Sequence, residues 1–205
     1  MNAVPVPAQA PDQSSHRRIQ RLKLLAILLV CAAPVIASYL FYYVFPPMGR
    51  TNFGTLIEPQ RPVPALALTQ PDGKPYALSS LLGQWVLVQA DAGACAKPCQ
   101  DKLYALRQHR TMTGKERERI DRVWFVTDAA TIAPALDEAY AGTIVLRADP
   151  SALAALLPVE PGHRIEDYLY LIDPMGNLMM RFPIGGDPKR IHKDITRLLK
   201  ASRVG

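Results

Sequence analysis

Hydrophobic positions along the chain form one long block near the start and, after a gap, a series of short blocks separated by polar and turn-forming residues. The long block, "LLAILLVCAAPVIASYLFYYVF" over residues 24–45, runs for 22 residues without a charge. About 20 apolar residues, each rising about 1.5 Å, cross the hydrocarbon core of a bilayer, so the block predicts a transmembrane helix. The short blocks start at residue 65. "ALALT" reads as a strand, Asp72-Gly73 as a turn, and the residues after it as a second extended piece. "WVLVQAD" (85–91) is almost continuously apolar, the pattern of a strand buried on both faces of a parallel sheet, and "RVWFVTD" (122–128) repeats it. "TIVLRAD" (143–149) is a shorter strand. A helical stretch follows each of the three: "PCQDKLYALRQHR", "APALDEAYA" and "PSALAALLP". "DYLYLID" and "NLMMRFP" flank the turn "PMGN" as an antiparallel hairpin. The last helix, "DPKRIHKDITRLLKAS", places Ile191, Ile195, Leu198 and Leu199 on one face.

The order β-α-β-α-β-α followed by β-β-α, with parallel strands closed by a hairpin and a helix, predicts an α/β fold: a thioredoxin-like sandwich preceded by a single N-terminal transmembrane helix. The 205 residues divide accordingly. Residues 1–23 open with a Pro-, Ala-, Gln- and Ser-rich stretch and read as a disordered cytoplasmic tail. Residues 24–45 are the transmembrane helix, 46–64 a Pro- and Gly-punctuated linker, and 65–205 the thioredoxin-like domain.

Charge fixes an orientation and excludes one class of partner. Half of the formal net charge of +6 lies in the first 23 residues, where Arg17, Arg18, Arg21 and Lys23 face Asp12 alone. A basic cluster just before an apolar span stays cytoplasmic, so the N-terminus is expected inside an inner (cytoplasmic) membrane and the C-terminal domain in the periplasm. Tyr39, Tyr42 and Tyr43 at the far end suit the other interface. The remaining positive charge is interleaved with acids, as in "KERERIDR", without an aromatic-studded basic stripe, which argues against nucleic acid. "VIAS" (35–38) has the small residues of a signal-cleavage site, but the apolar run continues through "YLFYYVF", which cleavage does not need; a retained anchor is expected. Bulky Val30 before Cys31 argues against a lipid-modified cysteine, and Cys31 reads as an ordinary membrane residue.

The other two cysteines carry the candidate chemistry. Cys95 and Cys99 sit where the strand "WVLVQAD" gives way to a helix, at the carboxyl end of the strand, where function gathers in open α/β sheets. Pro98 suits a first helical turn. Cys99, Leu103 and Leu106 then share the inward face, while Cys95, in the Gly93-containing loop, is expected to be more exposed. The helix N-terminus and Lys97 both favour a thiolate. An exposed first thiol and a sheltered second suit a dithiol redox couple. A structural disulfide is the plain alternative, since exported domains keep disulfides, although closing so short a loop restricts the unfolded chain little.

The anchor, the Asp-Gly hairpin, "LLGQWVLVQ" before Cys95-x-x-x-Cys99, and the late "YLIDPMGN" together resemble the Sco/SenC family over roughly residues 62–200. The resemblance implies a membrane-anchored, thioredoxin-like protein of cytochrome c oxidase assembly, whose partners are the copper-bearing oxidase subunit or other assembly factors. It implies copper held by Cys95 and Cys99, with a histidine from the loop before the late hairpin, here His163, as third ligand. Soft thiolates select Cu(I), and an imidazole completes a three-coordinate site. Met175, Met179 and Met180 are further soft donors, although methionines in a hairpin usually pack. His109 and His192 lie on helices away from that loop and read as surface residues. Three readings follow. The first is a Sco-like assembly factor handling copper or thiol–disulfide exchange. The second is a metal-free periplasmic thiol–disulfide oxidoreductase in which Cys95 attacks and Cys99 resolves. The third is a non-catalytic scaffold with a structural disulfide.

Overall fold

A computed structural model of the chain describes residues 13–44, 52–202 and 204, in two units, Met1–Arg50 and Thr51–Gly205. The first unit holds helix α1, Gln13–Tyr43, which is long and apolar enough to cross a membrane. It begins earlier than expected: residues 13–23, read as part of a disordered tail, continue the helix. The stretch "QSSHRRIQRLK" contains no Gly or Pro, and adding a turn to a formed helix costs far less than starting one. The rest of the tail (1–12), the last anchor residue (45) and the linker's first six residues (46–51) lie outside the described residues.

The second unit is built on one eight-stranded sheet. In chain order its elements are β1 (Thr55–Pro62), β2 (Leu68–Thr69), β3 (Pro75–Tyr76), β4 (Trp85–Asp91), α2 (Lys97–Met112), β5 (Ile120–Val126), α3 (Pro134–Ala139), β6 (Ile144–Arg147), α4 (Pro150–Leu156), β7 (Tyr168–Ile172), β8 (Asn177–Pro183) and α5 (Pro188–Ala201). The spatial order is β1-β8-β7-β4-β5-β6-β2-β3. β4, β5 and β6 run parallel, with Val88 opposite Val123 and Val123 opposite Ile144. β7 joins the other side of β4 antiparallel, Leu87 opposite Leu171, and β8 completes the hairpin.

The central strand explains both layers. Side chains alternate across a strand, and β4 is apolar at successive positions, so each face needs a cover. Trp85 and Leu87 pack with Leu106 of α2 and with Ile191, Ile195 and Leu199 of α5. Val86, Val88 and Ala90 pack on the opposite face with Leu153 and Leu156 of α4.

One boundary moved. Residues 46–64 were expected to be a linker, but Thr55–Pro62 is an edge strand paired with β8, Thr55 opposite Arg181 and Pro62 opposite Asn177. Pro59 and Pro62 argue for a spacer on local grounds; an edge strand tolerates them because one side makes no ladder hydrogen bonds. The entry to β1 is tied down from α5, where the Asp194 carboxylate accepts from the backbone N–H of Phe53 at 2.6 Å and of Gly54 at 3.0 Å.

Candidate functional site

The carboxyl end of β4 is closed by a tight turn. Ala92 N–H donates to Asp91 Oδ1 (2.9 Å) and Gly93 N–H to Asp128 Oδ1 (2.7 Å). Position 93 admits only glycine, because a Cβ there would lie 2.6 Å from the Ala130 carbonyl oxygen. Cys95 follows with φ of 40°, in the left-handed region, and its N–H donates to the Ala92 carbonyl. Helix α2 starts at Lys97 with Pro98 in its first turn, as the sequence pattern predicts.

Cys95 and Cys99 are joined in a disulfide, their Cα atoms 5.1 Å apart. The expectation of an exposed Cys95 is corrected: it is 1% exposed, as buried as Cys99 at 2%. The bond to an inward-facing Cys99 and the left-handed turn draw Cys95 into an apolar cluster with Leu103, Trp124 and Val126. Beneath the pair, fully buried Gln89 of β4 points its amide at the Cys99 sulfur, Nε2 to Sγ 3.7 Å.

Cys99, and not Cys95, borders a cleft of 590 Å³ whose walls include Pro98, Lys102, His163, Glu166 and Tyr168. The structure thus brings the sequence-selected Cys99 and His163 to one cleft. His163 is half exposed, its Nδ1 3.5 Å from Asp167 Oδ2 and its ring edge-on to Tyr168. The Arg164 N–H, donating to Asp167 at 2.8 Å, holds that carboxyl below its usual range, and the positive charges of His163 and Arg164 add to the effect. Met175, Met179 and Met180 do not border the cleft; Met180 is core and Met175 lies at the hairpin turn. Among the described residues no three of His, Cys, Asp and Glu converge as a ready ligand set. With the sulfurs bonded to each other neither is a thiolate, so the donor chemistry for a soft metal exists only after reduction.

The sequence reading missed Lys102 and Asp91. Lys102 is 3% exposed on the cleft floor, one turn after Cys99. Its ammonium meets Asp91 Oδ2 at 2.5 Å and the carbonyls of Glu166 (2.7 Å) and Ala90 (3.3 Å). A buried ammonium needs such partners. The signal was spacing: Lys102 shares the inward face with Cys99, Leu103 and Leu106, where a cation is out of pattern. Through Glu166 it also ties the loop carrying His163 to the helix carrying Cys99.

Of the two helical histidines, read as surface residues, His109 is buried at 2% exposure and His192 is half buried. The packing of α2 on α5 covers what helical pattern alone left open.

Comparison with known proteins adds the following. A family model for a transmembrane-like, thioredoxin-like C-terminal domain matches residues 85–202. No curated protein matches the chain. Among solved structures, ScoI of Arabidopsis thaliana with copper bound superposes with a TM-score of 0.55 at 16% identity, covering 69% of this chain and 100% of that one. Yeast Sco1 with copper bound gives 0.53 at 19%, covering 74% and 90%. BsSco, described with a disulfide switch and as a member of the Sco family of cytochrome c oxidase assembly proteins, gives 0.53 at 16%, covering 70% and 94%. The likeness is one of fold, and it is the fold that the sequence resemblance implied.

Proposed function

We propose, from a chain that belongs to the family of transmembrane-like proteins with a thioredoxin-like C-terminal domain, a membrane-anchored, Sco-like assembly factor for cytochrome c oxidase that works through Cys95 and Cys99. The observation that carries this reading is the disulfide at the carboxyl end of β4, beside a cleft that also holds His163. The copper in the Arabidopsis and yeast neighbours and the disulfide switch of BsSco support it.

In the oxidised form a partner thiolate entering the cleft attacks Cys99 Sγ. The S–S bond breaks, Cys95 leaves as a thiolate, and a mixed disulfide forms; a second partner thiolate then releases Cys99. Two electrons pass to this chain and the partner's dithiol becomes a disulfide. The N-terminus of α2 favours negative charge on Cys99. In the reduced form the two thiolates hold Cu(I) as cargo, with the His163 imidazole as third ligand and the copper-bearing oxidase subunit as recipient.

The test uses the reduced full-length chain in detergent. It is expected to bind one equivalent of Cu(I), to lose binding in Cys95→Ser and in Cys99→Ser, and to bind at least about tenfold more weakly in His163→Ala. Absence of Cu(I) binding by the wild-type chain overturns the copper part. The second reading, a metal-free thiol–disulfide oxidoreductase, then stands. Failure of the oxidised chain to exchange with a dithiol probe, and of the reduced chain to exchange with a disulfide probe, leaves only a structural disulfide.

A further inference from the structure

One side chain of the central strand is out of keeping with its neighbours. Side chains alternate across β4, so Trp85, Leu87, Gln89 and Asp91 share the face that carries α2. Trp85 and Leu87 pack there with Leu106, and Asp91 meets Lys102. Gln89 lies between them, 0% exposed, with its Nε2 3.7 Å from Cys99 Sγ. It does not border the cleft. Gln89 therefore reaches the sulfur from within the core, while a partner reaches it from the cleft.

The amide is only half used. Its Oε1 is buried and has no hydrogen-bond partner among the described residues. An unmet buried acceptor costs stability, and an apolar side chain of similar size would leave nothing unmet at this position. Packing alone does not call for an amide here. What the amide has, and an apolar side chain lacks, is a donor aimed at one sulfur of the pair.

That donor is worth most when the sulfur is charged. A disulfide sulfur is a weak acceptor; a thiolate is a strong one, because hydrogen bonds to ionised groups are roughly twice as strong as neutral ones. In the exchange proposed for this pair, the second step breaks the mixed disulfide. The partner's second thiolate bonds to the partner's own sulfur, and the electron pair of the broken bond goes to Cys99 Sγ. Cys99 is the leaving thiolate, and the Gln89 N–H already stands beside the atom on which the charge appears.

We propose that Gln89 is a positioning residue of the dithiol site: its side-chain N–H holds the Cys99 thiolate and makes the disulfide more oxidising. A group that favours the reduced form over the oxidised one raises the reduction potential. The inference rests on thiol–disulfide exchange through Cys95 and Cys99.

Gln89→Met keeps the length of the side chain and removes the donor. Cys31→Ser in both chains leaves Cys95 and Cys99 as the only cysteines. The two full-length chains in detergent are equilibrated at pH 7 with graded mixtures of dithiothreitol and its oxidised form, and the reduced fraction is read from the mass added by alkylation. The equilibrium constant for reduction is expected to fall about fivefold in Gln89→Met, which is about 20 mV on a two-electron couple. The thermal midpoint of the oxidised variant is expected not to fall, since the side chain lost carries an unmet oxygen. An unchanged or raised constant overturns the proposal and leaves exchange through the pair intact; a lower thermal midpoint beside an unchanged constant makes Gln89 a packing residue. If dithiothreitol reduces neither chain, exchange itself fails and this inference falls with it. If Gln89→Met does not fold, Gln89→Leu decides by the same criterion.

Discussion

His109 sits where an imidazole is tolerated neutral and penalised charged. It lies between α2 and α5, and burial first, then the neighbouring His192, lowers its pKa to about 4 from an ordinary 6.5. The sign follows from linkage. The unfolded chain takes up this proton first as pH falls, so the stability contribution is complete above about 6.5, is lost progressively between 6.5 and 4, and falls no further below that. The full effect is at most about 3 kcal/mol. Lowered aspartates such as Asp167 act below 3.8 and Glu116 below 4.5, at the foot of this window, while burial raises Asp121 and gives a change of opposite sign above 3.8. Urea unfolding of the full chain between pH 7 and pH 4 is expected to show this loss, and His109→Phe to flatten it; an equal slope in the variant would refute the assignment. Lys102 is the contrast. It is buried with partners: Asp91 and the carbonyls of Ala90 and Glu166 surround its side-chain nitrogen. At this scale the sequence marked Cys99 by residue type and spacing, and His163 through the family resemblance, but could not show that His109 is buried or that Cys95 turns inward. Those facts depend on which helix or turn lies opposite.

At the scale of elements, the parallel strands and the late hairpin were legible because each is a compact apolar run whose burial needs no particular partner to be read. β1 was not. It carries two prolines, one buried Ile57, and hydrogen bonds to a strand more than a hundred residues away. The same long-range logic explains Asp194, an acid 3% exposed on the apolar face of α5, which accepts from Phe53 and Gly54. Removing it leaves two N–H groups without their acceptor, so Asp194→Ala is expected to lose roughly 2–3 kcal/mol of stability. Hydrogen exchange should quicken selectively at residues 53–57 while the strands around Cys99 stay protected. Uniform protection in the variant would show that β1 is held by its ladder alone.

At the scale of the whole molecule, an apolar helix with a basic start precedes a thioredoxin-like domain. The expected outcome is fractionation with membranes, and a reporter fused after Gly205 active only outside the cytoplasm. A mature chain beginning near Ser38 would replace the anchor with a cleaved leader. What the sequence by itself determined was the apolar span, the order of strands and helices, and the placing of two cysteines at the end of the central strand. These are short-range properties, set by periodicity, turn chemistry and residue type along neighbouring positions. Only the tertiary structure decided that Cys99 rather than Cys95 faces the cleft, and that Lys102 and Asp91 line it together. Each of these depends on groups brought together by strand register and helix packing from distant parts of the chain, where burial, and not local pattern, sets which side chain meets which.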